Sequence, residues 1–167
     1  CQCGCRPDAA FTGECCPRRR GLARLVVWVW GGRGWRGDHF SPTDAYVRVV
    51  LGEREGRTET AWNQERPRWG ARLELGTVTL PPGEARLRLE GWDEDNKWDD
   101  DLLGVCREPL EAGGRRDGVC FPGGGRLEFS FQLSCGPSLG GSLCHDYVAQ
   151  PPQGQGRPFR FSRWPPE

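Results

Sequence analysis

Short runs of apolar residues, several of them alternating strictly with polar residues, recur along the chain from Leu22 to Leu133. The alternation is clearest in residues 86–89 and 126–131, where every second side chain would lie on the same face of a strand. Gly, Pro and Asp separate the runs, and none carries a sustained helical period. The predicted strands are Leu22–Trp30, Ala45–Leu51, Arg57–Trp62, Trp69–Leu75, Ala85–Trp92, Leu102–Arg107 and Arg126–Leu133. This pattern predicts an all-β fold, an antiparallel β-sandwich.

The length of 167 residues allows one domain of ordinary size with appendages at its ends. Residues 1–20 are rich in Cys without a hydrophobic period, and we interpret them as the end of a small disulfide-stapled module. Residues 21–135 would form the sandwich, and residues 136–167 a disulfide-closed loop with an extended tail. The chain starts at Cys1 and contains no methionine, so we expect a processed product or a fragment.

Cysteine is abundant, with 9 residues, an odd number that leaves at least one without a partner in this chain. The spacings Cys106 to Cys120 and Cys135 to Cys144 close into small loops, so we predict a disulfide for each pair. Disulfides persist in oxidising compartments, which predicts a secreted protein. Zinc is the alternative for the cysteines of residues 1–16, but Cys-x-Cys-x-Cys lacks the paired Cys-x-x-Cys spacing of common structural zinc sites.

Charge excludes some classes of partner. Lys and Arg together number 23, as do Asp and Glu, so the net charge is zero. Nucleic-acid-binding proteins usually carry a basic excess or stripe, so no nucleic-acid partner is predicted. No stretch reaches the roughly eighteen apolar residues that a spanning helix needs. Any attraction to a membrane would therefore be local or conditional.

The segment from Trp92 to Leu102 concentrates five aspartates in nine positions around Trp98. Two carboxylates about 4 Å apart near a protein surface repel by about 4 kcal/mol at an effective dielectric of about 20, so such clustering needs a compensating cation. Calcium fits, because it takes about six to eight oxygen ligands at loosely constrained angles. Asp93 and Asp95 alternate as strand residues do, so their side chains would leave one face. A solvated acidic turn is the alternative.

Loops that join the strands of a sandwich gather at its two ends, so acidic residues of separate loops can form one site. Loop one spans residues 31–44, loop two residues 63–68 and loop three residues 93–101. If these loops meet, they would form a multi-ion calcium site. Its predicted ligands are Asp38, Asp44, Asp93, Asp95 and Asp101, completed by backbone carbonyls and by Asn63 or Asp99.

One motif invites an enzymatic interpretation. Residues 136–140 match the Gly-x-Ser-x-Gly elbow of hydrolases, with Ser138 as the nucleophile. That elbow requires a strand before it and a helix after it, whereas this copy lies between two cysteines with Pro137 beside the serine. We therefore do not predict an enzyme.

Several motifs together resemble a known family. Thr-Asp-Ala-Tyr-Val at 43–47, Pro-x-Trp at 67–69, Trp-Asp-x-Asp at 92–95 and Asp-Asp-Leu-Leu-Gly at 100–104 resemble a C2 domain. Cys-Cys-Pro-Arg at 15–18 and the Leu-Gly-Gly…Cys…Asp-Tyr ending at 139–147 are similar to the C-terminal portion of the perforin family. The resemblance covers nearly the whole chain and implies that residues 1–20 end an epidermal-growth-factor-like module.

The resemblance implies a secreted pore-forming protein of immune defence and cytolysis, stored in secretory granules. Its C2 domain would dock peripherally on the phospholipid membrane of a target cell when calcium is present. An upstream pore-forming domain and a homo-oligomer would belong to the full-length protein. The candidates for membrane contact are Trp98, Trp35, Phe40, His39 and Asn96, of which Trp98 alone keeps a family aromatic in place. A calcium-stabilised protein-interaction module without membrane docking is the alternative.

Overall fold

In the computed structural model, which describes residues 19–36, 42–95 and 99–148, two four-stranded antiparallel sheets pack face to face. Sheet one has the order β4-β1-β8-β7, and sheet two the order β3-β2-β5-β6. The strands are β1 Leu22–Arg33, β2 Ala45–Leu51, β3 Arg54–Arg57, β4 Arg68–Thr79, β5 Arg86–Asp93, β6 Asp101–Pro109, β7 Arg116–Cys120, β8 Arg126–Cys135, β9 Leu139–Gly140 and β10 Asp146–Tyr147. The predicted all-β antiparallel sandwich is confirmed.

The sequence prediction and the structure differ at the edges of the sheets. The strand predicted over Arg57–Trp62 is wrong, because β3 ends at Arg57. Beyond it, Ala61 forms an isolated antiparallel β-bridge with Ala45. β7 has no counterpart among the predicted strands. It lies at the edge of sheet one, and most of its residues are exposed. An edge strand of this kind lacks the apolar alternation on which strand prediction depends.

The core follows from the alternation of the central strands. The fully buried side chains of β1, β5 and β8 point between the sheets and contact one another there. They include Leu25, Val27, Val29, Leu87, Leu89, Leu127, Phe129 and Leu133. Burial of such aliphatic and aromatic side chains contributes about 1.5–3 kcal/mol each and is the main source of stability.

Trp35, a residue of loop one, extends the core. Its side chain is only 8% exposed, its indole N–H donates a hydrogen bond to the Pro122 carbonyl at 2.9 Å, and its ring centroid lies 6.2 Å from that of Trp69. Gly32 and Gly125 lie against the ring. Glycine is required at both positions, because a Cβ at either would lie 2.4 Å from a ring atom. The prediction that Trp35 contacts the membrane is therefore wrong, since the indole is enclosed by protein.

Both predicted disulfides are present. The bond between Cys106 and Cys120 connects β6, at the edge of sheet two, with β7, at the edge of sheet one. The bond between Cys135 and Cys144 ties the end of β8 to the segment that follows it. Within that segment Leu139 and Leu143 are buried against the sandwich.

The predicted modules at the ends of the chain lie mostly outside the described residues. This applies to residues 1–18 and 149–167. Across the described ranges, we find no helix with the length and apolar character needed to cross a membrane.

Candidate functional site

One end of the sandwich brings acidic residues of loops one and three together. Ala45 pairs with Asp93 across β2 and β5, and Asp93 pairs with Asp101 across β5 and β6. Because Asp44 precedes Ala45, this register places Asp44 and Asp101 on either side of Asp93. The backbone N–H of Asp44 donates a hydrogen bond to Asp93 Oδ1 at 2.8 Å. We call this region, with Asp44, Asp93, Asp95 and Asp101, the acidic end.

Loop two reaches the same end. The backbone N–H of Asn63 donates to Asp44 Oδ1 at 2.5 Å, and the N–H of Gln64 donates to the Thr43 carbonyl at 3.3 Å. Asn63 has φ of 55°, in the left-handed region that Asn tolerates better than most residues. The three loops therefore meet, which is the condition that the predicted multi-ion site requires. The role of Asn63 as a ligand stays a prediction.

Asp93 carries the electrostatic signature of the site. Partial burial raises the pKa of its carboxyl above the usual value, and the negative charges of Asp44, Asp95 and Asp101 raise it further. The hydrogen bond from the Asp44 N–H acts in the opposite direction. An ionised Asp93 is thus held here at a cost that a cation would relieve. Hard carboxylate oxygens are the donors that calcium prefers, so these residues fit that ion.

Asp100, which is not among the predicted ligands, fixes the position of loop three. Its Oδ2 accepts a hydrogen bond from the Tyr46 hydroxyl at 2.7 Å, and its Oδ1 accepts one from the Asp95 N–H at 3.2 Å. Burial and the bond to Asp100 raise the pKa of Tyr46 to about 12. The Tyr46 ring stacks on Trp92 at 6.4 Å, and the Arg57 guanidinium lies 3.5 Å from its centroid. Nothing in the sequence around Asp100 signals this contact, because Tyr46 lies 54 positions away along the chain.

Several predicted residues are not placed. Five of them, Asp38, His39, Phe40, Asn96 and Trp98, lie outside the described residues. Asp99 lines a groove beside the acidic end, together with Tyr46 and Trp92. Within the described ranges, one set of three potential ligand atoms lies within 4.8 Å of one another, that of Cys106, Glu108 and Cys120, and its cysteines form a disulfide.

The hydrolase-like motif occupies a turn between β8 and β9 rather than a strand-to-helix elbow. Ser138 is buried, with φ of 56°, and its hydroxyl has no hydrogen-bond partner among the described residues. His145 lies elsewhere, with its Nε2 at 2.7 Å from the Leu80 carbonyl. Among the residues that the structure describes, no histidine contacts Ser138 as a hydrolase would require.

Comparison with known proteins agrees with this geometry. The family described as "C2 domain" matches residues 23–122, and the chain belongs to that family. A solved structure described as "Structure of a C2 domain" is 32% identical, with a TM-score of 0.57, and the match covers 67% of this chain and 98% of that one. A calcium-bound structure of two C2 domains of Extended-Synaptotagmin 2 shares the fold, at 20% identity and a TM-score of 0.57, over 70% of this chain and 46% of that one.

Among whole proteins, the chain is similar to Perforin-1 of Homo sapiens. The two are 45% identical over 150 residues, which cover 90% of this chain and 27% of Perforin-1. The chain thus spans about a quarter of the length of that relative. The resemblance to the C-terminal portion of the perforin family is confirmed.

Proposed function

We propose that this chain is a calcium-dependent phospholipid-binding C2 domain of a perforin-like, secreted pore-forming protein. The observation that supports the proposal most directly is the meeting of three loops at the acidic end, where partial burial and then the neighbouring carboxylates raise the pKa of Asp93. The residues proposed to hold calcium are Asp38, Asp44, Asp93, Asp95, Asp99, Asp101 and Asn63. A calcium affinity of about 10⁻⁴ to 10⁻³ M, typical of extracellular modules, would make the domain respond to the change from storage to extracellular conditions.

The mechanism is a change of charge at the acidic end. Without a cation its carboxylates repel one another, and they repel anionic lipid headgroups within a Debye length of about 8 Å. Calcium, when bound, supplies positive charge and coordination positions for phosphate oxygens. The backbone hydrogen bonds from Asp44 to Asp93 and from Asn63 to Asp44 hold the three loops together before the membrane is reached. Trp98 would then enter the headgroup region.

The wider context is inferred from Perforin-1, of which the chain spans about a quarter. We propose that a pore-forming domain lies elsewhere in the full-length protein and that assembly into a homo-oligomer belongs to it. This domain would act outside the cell, after release from a secretory granule, as a peripheral anchor on the target-cell membrane during cytolysis.

Co-sedimentation with vesicles of phosphatidylcholine and phosphatidylserine tests the proposal. Binding is expected in calcium and absent in a chelator. Asp95→Ala or Asp101→Ala should abolish binding, because each removes a proposed ligand. Glu53→Gln is the matched control, since Glu53 is exposed in the β2–β3 turn, at the opposite end of the sandwich. Calcium-independent binding of equal strength would overturn the mechanism.

Tryptophan fluorescence separates docking from the alternative, a calcium-stabilised protein-interaction module. Adding vesicles with calcium should shift the emission to the blue, and Trp98→Phe should remove that shift. If calcium raises the melting temperature but vesicles leave the emission of the wild-type chain unchanged, the acidic end stabilises the fold without docking.

A further inference from the structure

A polar cavity lies against β1, β4 and β8 of sheet one. It has a volume of about 220 Å³ and is lined by Arg33, Arg66, Arg68 and Arg126, which we call the arginine pocket. The acidic residue in its wall is Glu128. Sites for whole drug-sized ligands usually measure about 300–1,000 Å³, so this pocket matches one small group rather than an entire small molecule.

The charges of the pocket are only partly compensated. Arg126 forms an ion pair with Glu128, with 3.1 Å between nitrogen and oxygen. Arg33, Arg66 and Arg68 have no carboxylate within salt-bridge distance among the residues that the structure describes. Moreover, Arg33 lies directly opposite Arg126 on neighbouring strands, a pairing of like charges that is unfavourable by itself. An anion between these guanidinium groups would remove that repulsion.

The backbone shapes the pocket. Pro67, between Arg66 and Arg68, is fully buried, and its carbonyl accepts a hydrogen bond from the Gly32 N–H at 3.0 Å. A Cβ at Gly31 would lie 2.9 Å from the same carbonyl, closer than such atoms pack. Glycine at 31 therefore lets β1 approach the loop, and the buried proline holds the two arginines on a fixed support.

The arginine pocket and the acidic end belong to the same end of the molecule. Asn63, whose N–H binds Asp44, starts the short turn that continues to Arg66 at the pocket. On the other side, Arg33 is the last residue of β1 and lies within loop one, which continues to Asp44. A membrane that meets the acidic end would therefore bring lipid phosphates close to the pocket.

We propose that the arginine pocket binds the phosphate group of a phospholipid headgroup, beside the lipid that meets the acidic end. The planar guanidinium group binds phosphate oxygens through two parallel N–H donors, which a carboxylate-lined site does not offer. The proposal rests on the proposed membrane docking, and it adds a contact that needs no cation. Two headgroups held at separate points would fix the orientation of the domain on the bilayer.

The first experiment uses inorganic phosphate without calcium or vesicles. Phosphorus NMR line broadening of phosphate is measured with the wild-type chain and with the double variant Arg66→Gln/Arg68→Gln. Both side chains are exposed, so the fold should persist, and circular dichroism checks this. The matched control is Arg54→Gln/Arg86→Gln, which removes two exposed arginines from the far end of sheet two. Broadening by the wild type and the control, but not by the pocket variant, supports the site. Equal broadening by all three overturns it.

The second experiment measures calcium-dependent binding to vesicles of phosphatidylcholine and phosphatidylserine. An arginine near a membrane surface contributes about fivefold to affinity, so the pocket variant should bind about 25-fold more weakly than the control. Its calcium midpoint in solution should not change, because the acidic end is intact. If the pocket variant no longer broadens the phosphate signal but binds vesicles with the affinity of the control, the pocket binds phosphate but not the phosphate of a lipid headgroup. Failure of the wild type to bind vesicles would instead overturn the docking proposal, and the phosphate spectra would still report on the pocket.

Discussion

Replacing Trp35 by phenylalanine tests whether this indole supports the core or enters a membrane. The change removes the indole N–H that donates to the Pro122 carbonyl at 2.9 Å, in a position only 8% exposed. That carbonyl keeps a second donor, the Gly125 N–H at 3.1 Å, so the lost bond costs about 0.5–1.5 kcal/mol, and the space left by the smaller ring adds about 1 kcal/mol. We expect a loss of about 1.5–2.5 kcal/mol in the free energy of unfolding. For a chain of this size, that lowers the melting temperature by roughly 3–10 °C.

The assay is thermal unfolding followed by circular dichroism, together with vesicle binding well below the transition. Trp62→Phe is the matched control, because Trp62 is 52% exposed and its loss should leave stability nearly unchanged. Trp35→Phe should keep its calcium-dependent vesicle affinity while folded. If it instead unfolds like the wild type and binds vesicles more weakly, Trp35 contacts lipid and the assignment to the core is refuted.

Two further changes have expected outcomes. The pKa of Asp93 is raised in the folded state, so its ionisation destabilises the fold as pH rises through that pKa. Asp93→Asn removes the ionisable group and should therefore raise the melting temperature at neutral pH in a chelator. In acid, where the carboxyl is protonated, the substitution should have little effect. The same variant should lose the stabilisation that calcium gives the wild type, and a variant less stable than the wild type in the chelator would contradict this reasoning. Gly104→Ala would place a Cβ 2.1 Å from the Gly123 nitrogen, and urea unfolding should show a loss of about 1–3 kcal/mol or more. Gly114→Ala, where nothing lies within 4 Å, should be neutral, and equal stability of the two variants would contradict the predicted clash.

The strands of the core were predictable from sequence because every second side chain along them is apolar and faces the core. In β8, Leu127, Phe129 and Leu133 are buried, and the polar residues between them include the exposed Glu128. β7 escapes this rule because an edge strand needs no apolar face. The meeting of Asp44 with Asp93 could be expected only conditionally, since connections of a sandwich gather at two ends and the pairing of β2 with β5 decides which ones meet.

Other features depend on distances that no single segment encodes. Trp35 follows β1 in a loop, and nothing in the adjoining residues reveals that Gly91 and Gly125 leave room for its ring. The arginine pocket draws its side chains from β1, β4, β8 and the turn before β4. Arginines are scattered along the whole chain, so local patterns do not distinguish those four from the rest.

The bond between Cys106 and Cys120 has a mechanical consequence. It closes a covalent ring around the connection from β6 to β7, with the two cysteines 14 positions apart. A force that pulls the two ends of this domain apart can unravel the strands outside the ring, but it cannot lengthen the chain inside it. Tension transmitted through an anchored domain would therefore bypass that connection and be borne by the remaining strands.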